Sequence, residues 1–238
     1  MRVLIFGTVY ADTEEKAALA AQWGRLHGQL NPGCDLLLVD SHSPEFENPD
    51  SYALDNLRMT PPIRRWSFRD NIGHLSRGGR DGWGRAFCKG LQMAIDGGYD
   101  YVGAIEGDSL FRLPVMPIIE QMAREGIKVA SVPIGYGEAQ RSTWVETGLM
   151  FFDVDYLKAS NFIAGYDWPN RTARPEPEII IRRMLGTDLV MMPWKAERSD
   201  KGEITVDNVG EYDWITHCKP EVYERFVALN MPGRNADA

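Results

Sequence analysis

The chain has 238 residues, of which 44% are hydrophobic and 25% are charged. This composition can bury a sizeable core and differs from that of a disordered segment, so we expect a folded protein with one domain rather than two small ones. The net charge of -8 argues against sequence-independent nucleic-acid binding, which needs a basic face that replaces phosphate counterions.

Cysteines and apolar runs indicate where the protein works. Cys34, Cys88 and Cys218 are an odd number without a CxxC pair, so they suggest neither a disulfide framework nor a cysteine zinc site. A reducing, cytoplasmic setting is therefore expected. The apolar run at residues 3–6 is too short for a signal-peptide core, and no run approaches the roughly 18 apolar residues of a membrane span. We expect a protein without a transmembrane segment, and peripheral contact with a membrane remains open.

The first half of the chain alternates between strand and helix patterns, as a largely parallel sheet requires. Residues 3–6 predict a buried strand, and Asp12 with Glu15 has the spacing of a capping box for a helix that runs to Leu30. A second predicted strand, at residues 36–39, ends at Asp40. Residues 44–82 lack periodicity and predict a long binding loop.

The second half continues the α/β pattern. A predicted helix from about Gly84 to Ile95 leads to a strand at residues 101–105, which ends in Glu106-Gly107-Asp108. The segment at 195–213 is polar and rich in turn residues. Further helices are predicted at 115–124, 178–185 and 221–229, and further strands at 129–132, 149–152 and 189–192. Together these patterns predict a single α/β domain with a mainly parallel central sheet flanked by helices.

The acidic turn Glu106-Gly107-Asp108 is the first candidate for chemistry. Residues i and i+2 of an extended chain point to the same side, and Gly107 leaves room for close approach of a nucleotide. Carboxylates suit Mg²⁺ or Mn²⁺, which neutralise a diphosphate as its bond to a sugar breaks. Two acids after a strand are also common in ordinary solvated turns, so the surrounding sequence has to decide.

That surrounding sequence resembles the GT-A glycosyltransferase superfamily, in which a glycine-rich segment and a helix precede a strand that ends in a DxD-type motif. The segments that carry the resemblance are 71–73, 80–86, 90–91 and 100–102, and the motif itself is an ExD variant. The resemblance implies a GT-A-like fold and a metal-dependent glycosyltransferase. Such an enzyme moves a sugar from a nucleotide-sugar donor to the hydroxyl of a carbohydrate or glycoconjugate acceptor. It also implies Mn²⁺ or Mg²⁺ as cofactor, a nucleotide-binding half at 1–112 and an acceptor-binding half at 113–238.

The same resemblance implies the site residues. The expected metal ligands are Asp108, His217 and Glu106, although the extra methylene of Glu106 leaves open a contact with the ribose. Glu176 is the expected base if the enzyme inverts, and Glu146 is a second catalytic candidate. The expected contacts of the nucleotide-sugar are Thr8, Tyr10, Asp40, Arg80, Asp81, Arg85, Glu106 and Lys219.

Two other functions remain open. A sugar-phosphate nucleotidylyltransferase would carry a basic, glycine-rich loop after its first strand, whereas residues 7–12 here read Gly-Thr-Val-Tyr-Ala-Asp. A nucleotide-sugar-binding protein without turnover would use the same acidic turn. The donor, the acceptor and the stereochemical outcome do not follow from the sequence.

Overall fold

A computed structural model describes residues 1–47, 63–73, 80–133, 144–166, 176–199 and 202–231. The strands in this part of the chain are β1 (Val3–Val9), β2 (Asp35–Asp40), β3 (Ile63–Ser67), β4 (Tyr101–Ile105), β5 (Ser109–Phe111), β6 (Val129–Ser131), β7 (Leu149–Asp153), β8 (Leu189–Met191), β9 (Ala196–Arg198) and β10 (Trp214–Thr216). The α-helices are α1 (Glu14–Leu30), α2 (Pro44–Glu47), α3 (Arg80–Asp96), α4 (Val115–Glu125), α5 (Val154–Ser160), α6 (Phe162–Tyr166), α7 (Pro177–Leu185) and α8 (Pro220–Asn230).

Seven strands form the central sheet, in the order β3-β2-β1-β4-β7-β6-β8. Strands β3, β2, β1 and β4 run parallel to one another. Strand β7 runs antiparallel to both β4 and β6, and β8 returns to a parallel pairing with β6. The prediction of a mainly parallel sheet flanked by helices is confirmed.

The alternation of side chains along β1 explains why helices cover both faces of the sheet. Val3 and Ile5 belong to a core shared with α1, α4 and α8, whereas Leu4 and Phe6 belong to a second core shared with α3, α5, α6 and α7. A strand that is apolar on both faces must be buried on both faces. Among the helices that the structure describes, none has the length and apolar character needed to cross a bilayer.

Helix α1 begins one residue later than a capping box at Asp12 predicts. Thr13 is the N-cap residue, and its side chain accepts a hydrogen bond from the backbone N–H of Lys16. Asp12 instead accepts a hydrogen bond of 2.6 Å from the Lys16 ammonium group. The predicted capping box is therefore wrong, because the residue three positions after Thr13 is a lysine rather than the acid or amide that a box requires.

Two segments predicted as irregular contain strands. Strand β3 lies within the predicted loop 44–82, at the edge of the central sheet beside β2. Strand β9 lies within the polar segment 195–213 and joins β5 and β10 in a second sheet of three strands. Such short edge strands of mixed polarity give little periodic signal, because pairing with a neighbouring strand rather than burial of one face defines them.

Gly90 marks the closest approach of α3 to the central sheet. A Cβ atom at this position would lie 2.3 Å from Cε2 of Phe6 on β1, which no real pair of carbon atoms tolerates. We predict that Gly90→Ala lowers the free energy of unfolding by about 1–3 kcal/mol, since overpacking outweighs the roughly 0.5–1 kcal/mol that alanine gains over glycine in a helix.

Urea unfolding of Gly90→Ala measures this effect, with Gly33→Ala as the matched control. A Cβ at Gly33 would meet no atom within 4 Å, so its unfolding free energy should change by no more than about 0.5 kcal/mol. Equal stability of the two variants would contradict the close packing of α3 on β1.

Candidate functional site

A cavity of about 810 Å³ opens beside the carboxyl ends of β1, β2 and β4. Ligands of open α/β sheets bind at this edge, because the chain leaves the strands there and its loops diverge. The described residues that line the cavity are Thr8, Val9, Tyr10, Lys16, Ser41, Asn71, Gly73, Gly82, Trp83, Glu106, Gly107, Asp108, Thr147, Glu176, Pro177, Glu178, Arg198 and His217.

Backbone hydrogen bonds fix the acidic turn at the end of β4. The N–H of Glu106 donates to the carbonyl of Gly148 at 3.0 Å, and the N–H of Gly107 donates to the carbonyl of Thr8 at 2.9 Å. Ser109 then donates to the carbonyl of Glu106 through both its N–H and its hydroxyl. The turn is thus held largely by its main chain.

The second sheet brings His217 to Asp108. Strands β5 and β10 are antiparallel, and Ser109 pairs with Thr216, so the residues before and after them are neighbours. The carbonyl of Asp108 accepts hydrogen bonds from the Thr216 hydroxyl at 3.2 Å and from the Tyr223 hydroxyl at 2.8 Å. His217 has a left-handed backbone, with φ of 55°, which turns the chain from β10 toward α8. Two residues far apart in sequence therefore lie on one wall of the cavity.

Two glycines allow this packing. A Cβ at Gly107 would lie 2.8 Å from the carbonyl oxygen of Thr8, so the missing side chain lets the turn pack on β1. The sequence had suggested instead that Gly107 makes room for a nucleotide. A Cβ at Gly148 would lie 2.8 Å from the Oε2 atom of Glu106. Gly148 therefore gives the Glu106 carboxylate the space that it occupies.

Burial and mutual repulsion dominate the electrostatics of the acidic turn. The pKa of Glu106 is raised well above its usual value of 4.5, first by burial and then by the neighbouring charge of Asp108. The carboxylate of Asp108 is open to the cavity, yet surrounding protein atoms raise its pKa, while His217 and Arg198 oppose the rise. The two acids are therefore costly to ionise together.

Arg198, at the end of β9, contacts two further acids, Glu146 and Glu178. Its guanidinium donates to both carboxylate oxygens of Glu146, at 2.7 and 2.5 Å. A third contact, of 3.7 Å, joins it to Glu178 on α7. Although burial opposes its charge, the nearby carboxylates Glu146, Glu106 and Glu178 raise the pKa of Arg198 further, so it stays positively charged.

The structure gathers six of the predicted site residues on the wall of this cavity: Thr8, Tyr10, Glu106, Asp108, Glu176 and His217. Asp40, Arg85, Glu146 and Lys219 are not among the described lining residues. For Arg80 and Asp81 the structure describes the backbone, at the start of α3, and their side chains lie outside the described part.

The residues away from the lining have structural contacts. Asp40 accepts hydrogen bonds from the Ser43 N–H at 3.0 Å, from the Ser43 hydroxyl and from the Ser67 hydroxyl at 2.8 Å. Arg85 donates to Asp70 and lies over the ring of Phe68, 3.8 Å from its centroid. Lys219 is exposed and is the N-cap residue of α8. These contacts stabilise loops and helix ends around the cavity.

Sequence reasoning missed three charged residues of the lining: Lys16, Glu178 and Arg198. Glu178 had a usable signal, because it follows Glu176 at the start of the same helix. Lys16 is a surface-type residue in the first turn of α1, and Arg198 lies in a strand without periodicity. Neither residue can be recognised as part of the site from the sequence alone.

A divalent metal ion fits this site only in part. Within the described ranges, no group of three or more His, Cys, Asp and Glu side chains is arranged to hold a metal ion. Asp108 and His217 supply one oxygen and one nitrogen donor at the cavity wall, beside an excess of negative charge. Mg²⁺ and similar ions are often held by one or two carboxylates together with substrate phosphates, so this donor set suits a metal that binds with a nucleotide.

Comparison with known proteins identifies the fold. No protein-family model matches the chain, and no curated protein does. Solved structures that match include the bifunctional glycosyltransferase WbbM, with a TM-score of 0.61 at 12% identity over 98% of this chain. A glycosyltransferase involved in the glycosylation of the major capsid of PBCV-1 matches with a TM-score of 0.56 at 9% identity, over 96% of this chain and 100% of its own.

The galactosyltransferase LgtC, solved with donor and acceptor sugar analogues, matches with a TM-score of 0.53 at 12% identity. That match covers 98% of this chain and 97% of LgtC. The chain spans 50% of the length of WbbM. At such low identity the likeness shows the fold alone, and it confirms the GT-A glycosyltransferase fold that the sequence resemblance implied.

Glu106 provides a test of the electrostatics. Its raised pKa means that the folded state holds the proton more tightly than the unfolded state, so its contribution to stability is present below pH 4.5 and is lost as the pH rises. We predict that Glu106→Gln, measured with EDTA, unfolds at a higher urea concentration than the wild type at pH 8. The difference should shrink toward pH 5.

Glu224→Gln serves as the control, since Glu224 is exposed on α8. Its urea midpoint should follow that of the wild type at both pH values. A Glu106→Gln variant that is less stable than the wild type at pH 8 would show that the carboxylate is favourably ionised, which contradicts repulsion within the turn.

Proposed function

We propose that the chain is a metal-dependent glycosyltransferase, which moves a sugar from a nucleotide-sugar to an acceptor hydroxyl in glycan or glycoconjugate synthesis. The observation that carries this proposal is the meeting of Asp108 and His217 on the wall of one large cavity. The cavity lies beside the carboxyl ends of parallel strands, in a fold that known glycosyltransferases share. A cytoplasmic location belongs to the proposal and is supported by three free cysteines.

The nucleoside binds at the end of β1. Thr8 and Tyr10 line the cavity there, next to Ser41 at the end of β2. Tyr10 is 39% exposed, which is unusual for an aromatic ring beside a buried strand and leaves a face on which a base can stack. Asp40 accepts a hydrogen bond from the N–H of Ser43 and so holds the turn after β2. Its proposed role is to position this turn beside the nucleoside. Arg80 and Asp81 remain proposed contacts at the start of α3.

The diphosphate binds between this end and the acidic turn. Asp108 and His217 are the proposed metal ligands, with diphosphate oxygens completing the coordination, and Glu106 contributes charge or holds a metal-bound water. A bound divalent cation would compensate the charge that develops on the leaving diphosphate. Lys16 lines the cavity, whereas Lys219 and Arg85 do not, so we favour it as the ammonium group nearest the phosphates, although it also donates to Asp12. Arg85 is held by Asp70 and supports the wall instead.

The acceptor enters on the side of α7. Glu176 is the proposed general base if the enzyme inverts, because it lines the cavity just ahead of the first turn of that helix. Glu146 fits a supporting role better than a base, since the guanidinium of Arg198 binds both of its oxygens. In this proposal, residues 1–112 bind the nucleotide and residues 113–238 bind the acceptor, while His217 completes the metal site.

The metal ligands are tested by calorimetry with UDP, GDP and dTDP, each with and without Mn²⁺. We predict that Asp108→Asn and His217→Ala each weaken Mn²⁺-dependent nucleotide binding at least about tenfold, because the first removes the charge of the oxygen ligand and the second removes the nitrogen ligand. Asp155→Asn is the matched control, since Asp155 is exposed on α5 and should leave the affinity unchanged.

Nucleotide binding that does not depend on Mn²⁺, and that neither substitution affects, would rule out this site. Incubation with UDP-glucose, UDP-galactose, UDP-N-acetylglucosamine, GDP-mannose and dTDP-glucose, followed by assay of the released nucleotide, identifies the donor. Binding of a nucleoside diphosphate with no hydrolysis or transfer across a broad acceptor panel would favour a nucleotide-sugar-binding protein. Product NMR then gives the stereochemical outcome.

Tyr10 is tested separately from the diphosphate. We predict that Tyr10→Ala weakens UDP binding about tenfold, because stacking of an aromatic ring contributes on the order of 1 kcal/mol beyond its buried area. Tyr10→Phe keeps the ring and should bind UDP as the wild type does. Binding of inorganic pyrophosphate with Mn²⁺ should be the same in all three proteins. A loss of pyrophosphate binding in Tyr10→Ala would instead mean that the residue acts on the diphosphate or on the fold.

A further inference from the structure

We propose that Arg198 is a positioning residue of the cavity, a guanidinium clamped on Glu146 that fixes the carboxylate of Glu178 for contact with a sugar hydroxyl. The proposal rests on the proposed glycosyltransferase function and adds two residues to its site. Neither Arg198 nor Glu178 was among the residues that the sequence suggested.

The clamp joins two parts of the chain that are far apart in sequence. Glu146 lies in the turn before β7, and Arg198 lies at the end of β9 in the second sheet. The guanidinium donates from Nε and from a terminal nitrogen to the two oxygens of Glu146, which is the paired geometry that only arginine can offer. The contact therefore sets the orientation of the guanidinium as well as its place.

Both side chains of this contact are largely buried. The side chain of Glu146 is 1% exposed and that of Arg198 is 13% exposed. Buried ionic groups are tolerated when they are paired in good geometry, and removal of one partner leaves the other uncompensated. Glu146 is thus matched to Arg198 in charge and hydrogen bonding, which explains why it is unsuited to accept a proton from an acceptor.

Glu178 lies near the same guanidinium nitrogen, Nη2, that donates to Glu146. Its nearest oxygen is 3.7 Å from Arg198, longer than a hydrogen bond but within the range of an ion pair. Both side chains line the cavity, at the first turn of α7 and beside the acidic turn. A carboxylate has more lone pairs than this one contact uses, so Glu178 can also accept a hydrogen bond from a hydroxyl.

The position also indicates what kind of sugar fits. Arg198 is paired with Glu146, while Glu106, Asp108, Glu176 and Glu178 all belong to the described lining of the same cavity, with Lys16 as its other cation. A sugar that carries a carboxylate or phosphate group would be repelled on this side. Neutral hydroxyls, which donate hydrogen bonds to carboxylates, are the complementary groups.

The test uses substitutions that separate charge from geometry. The double variant Glu146→Gln/Arg198→Gln removes one negative and one positive charge, so the net charge of this region is unchanged and neither Glu146 nor Arg198 is left without the other. Arg198→Lys keeps the charge but cannot bind both oxygens of Glu146. Glu178→Gln is made alone and together with the double variant, and circular dichroism and urea unfolding verify that each protein folds.

Each protein is assayed with the members of the nucleotide-sugar panel that the wild type turns over, and its UDP, GDP and dTDP affinity is measured with Mn²⁺. We expect nucleotide affinity and KM within about threefold of the wild type, and kcat at least about tenfold lower, in the double variant and in Arg198→Lys. Adding Glu178→Gln to the double variant should lower kcat by less than about threefold more, because Arg198 acts through Glu178.

Wild-type kcat in either Arg198 variant would overturn the proposal, and so would an effect of Glu178→Gln that multiplies in full with that of the double variant. If the double variant does not fold, Arg198→Lys and Glu178→Gln decide the outcome, with the combination of these two as the cycle. A wild-type protein that binds no nucleotide, or that neither hydrolyses the donors nor transfers their sugars across a broad acceptor panel, overturns the glycosyltransferase proposal itself. Failure of the Arg198 proposal is thus seen in the variants, and failure of the glycosyltransferase proposal is seen in the wild-type protein.

Discussion

The carbonyl oxygen of Asp108 is the point on which the candidate site depends. It accepts hydrogen bonds from Thr216 on β10 and from Tyr223 on α8, while the adjacent Gly107 donates to Thr8 on β1. Burial raises the pKa of Tyr223, so its hydroxyl remains a donor. Because main-chain atoms anchor the turn to both sheets, the Asp108 carboxylate faces the cavity. The hydrogen bonds from Thr216 and Tyr223 also position His217, which directly follows Thr216.

This arrangement places the carboxylates of Glu106 and Asp108 close together, where their charges repel each other. Glu106 is half-buried against Gly148, near Asp108, and these surroundings raise its pKa, so the protein alone compensates its charge poorly. Arg198 offsets part of the repulsion, since its charge lowers the pKa of Glu106 and of Asp108. Aromatic and aliphatic packing on both faces of the sheet stabilises the strands that hold these groups. A cation that bound together with a nucleotide would therefore reduce the repulsion between these two carboxylates.

The sequence predicted the parts of this structure that burial determines. Strands such as β1 and β4 and helices such as α1 and α4 are long or apolar enough for their periodicity to be read. The acidic turn followed from its place after β4, and the resemblance placed His217 beside Asp108, where the second sheet puts it. Sequence could not predict β3 or β9, because pairing defines them, nor Arg198, whose role exists only once Glu146 and Glu178 are near it. Local patterns do not encode such distant partners.

The antiparallel strand β7 has a consequence for how the chain is divided. It is inserted between β4 and β6, so the central sheet joins residues from both halves of the sequence. A cut after residue 112 would leave β4 with an open edge, from Tyr101 to Ile105, whose hydrogen-bonding groups normally face β7. Exposed apolar edges of this kind template intermolecular pairing. Separate expression of the two halves would therefore yield aggregates rather than a nucleotide-binding piece and an acceptor-binding piece.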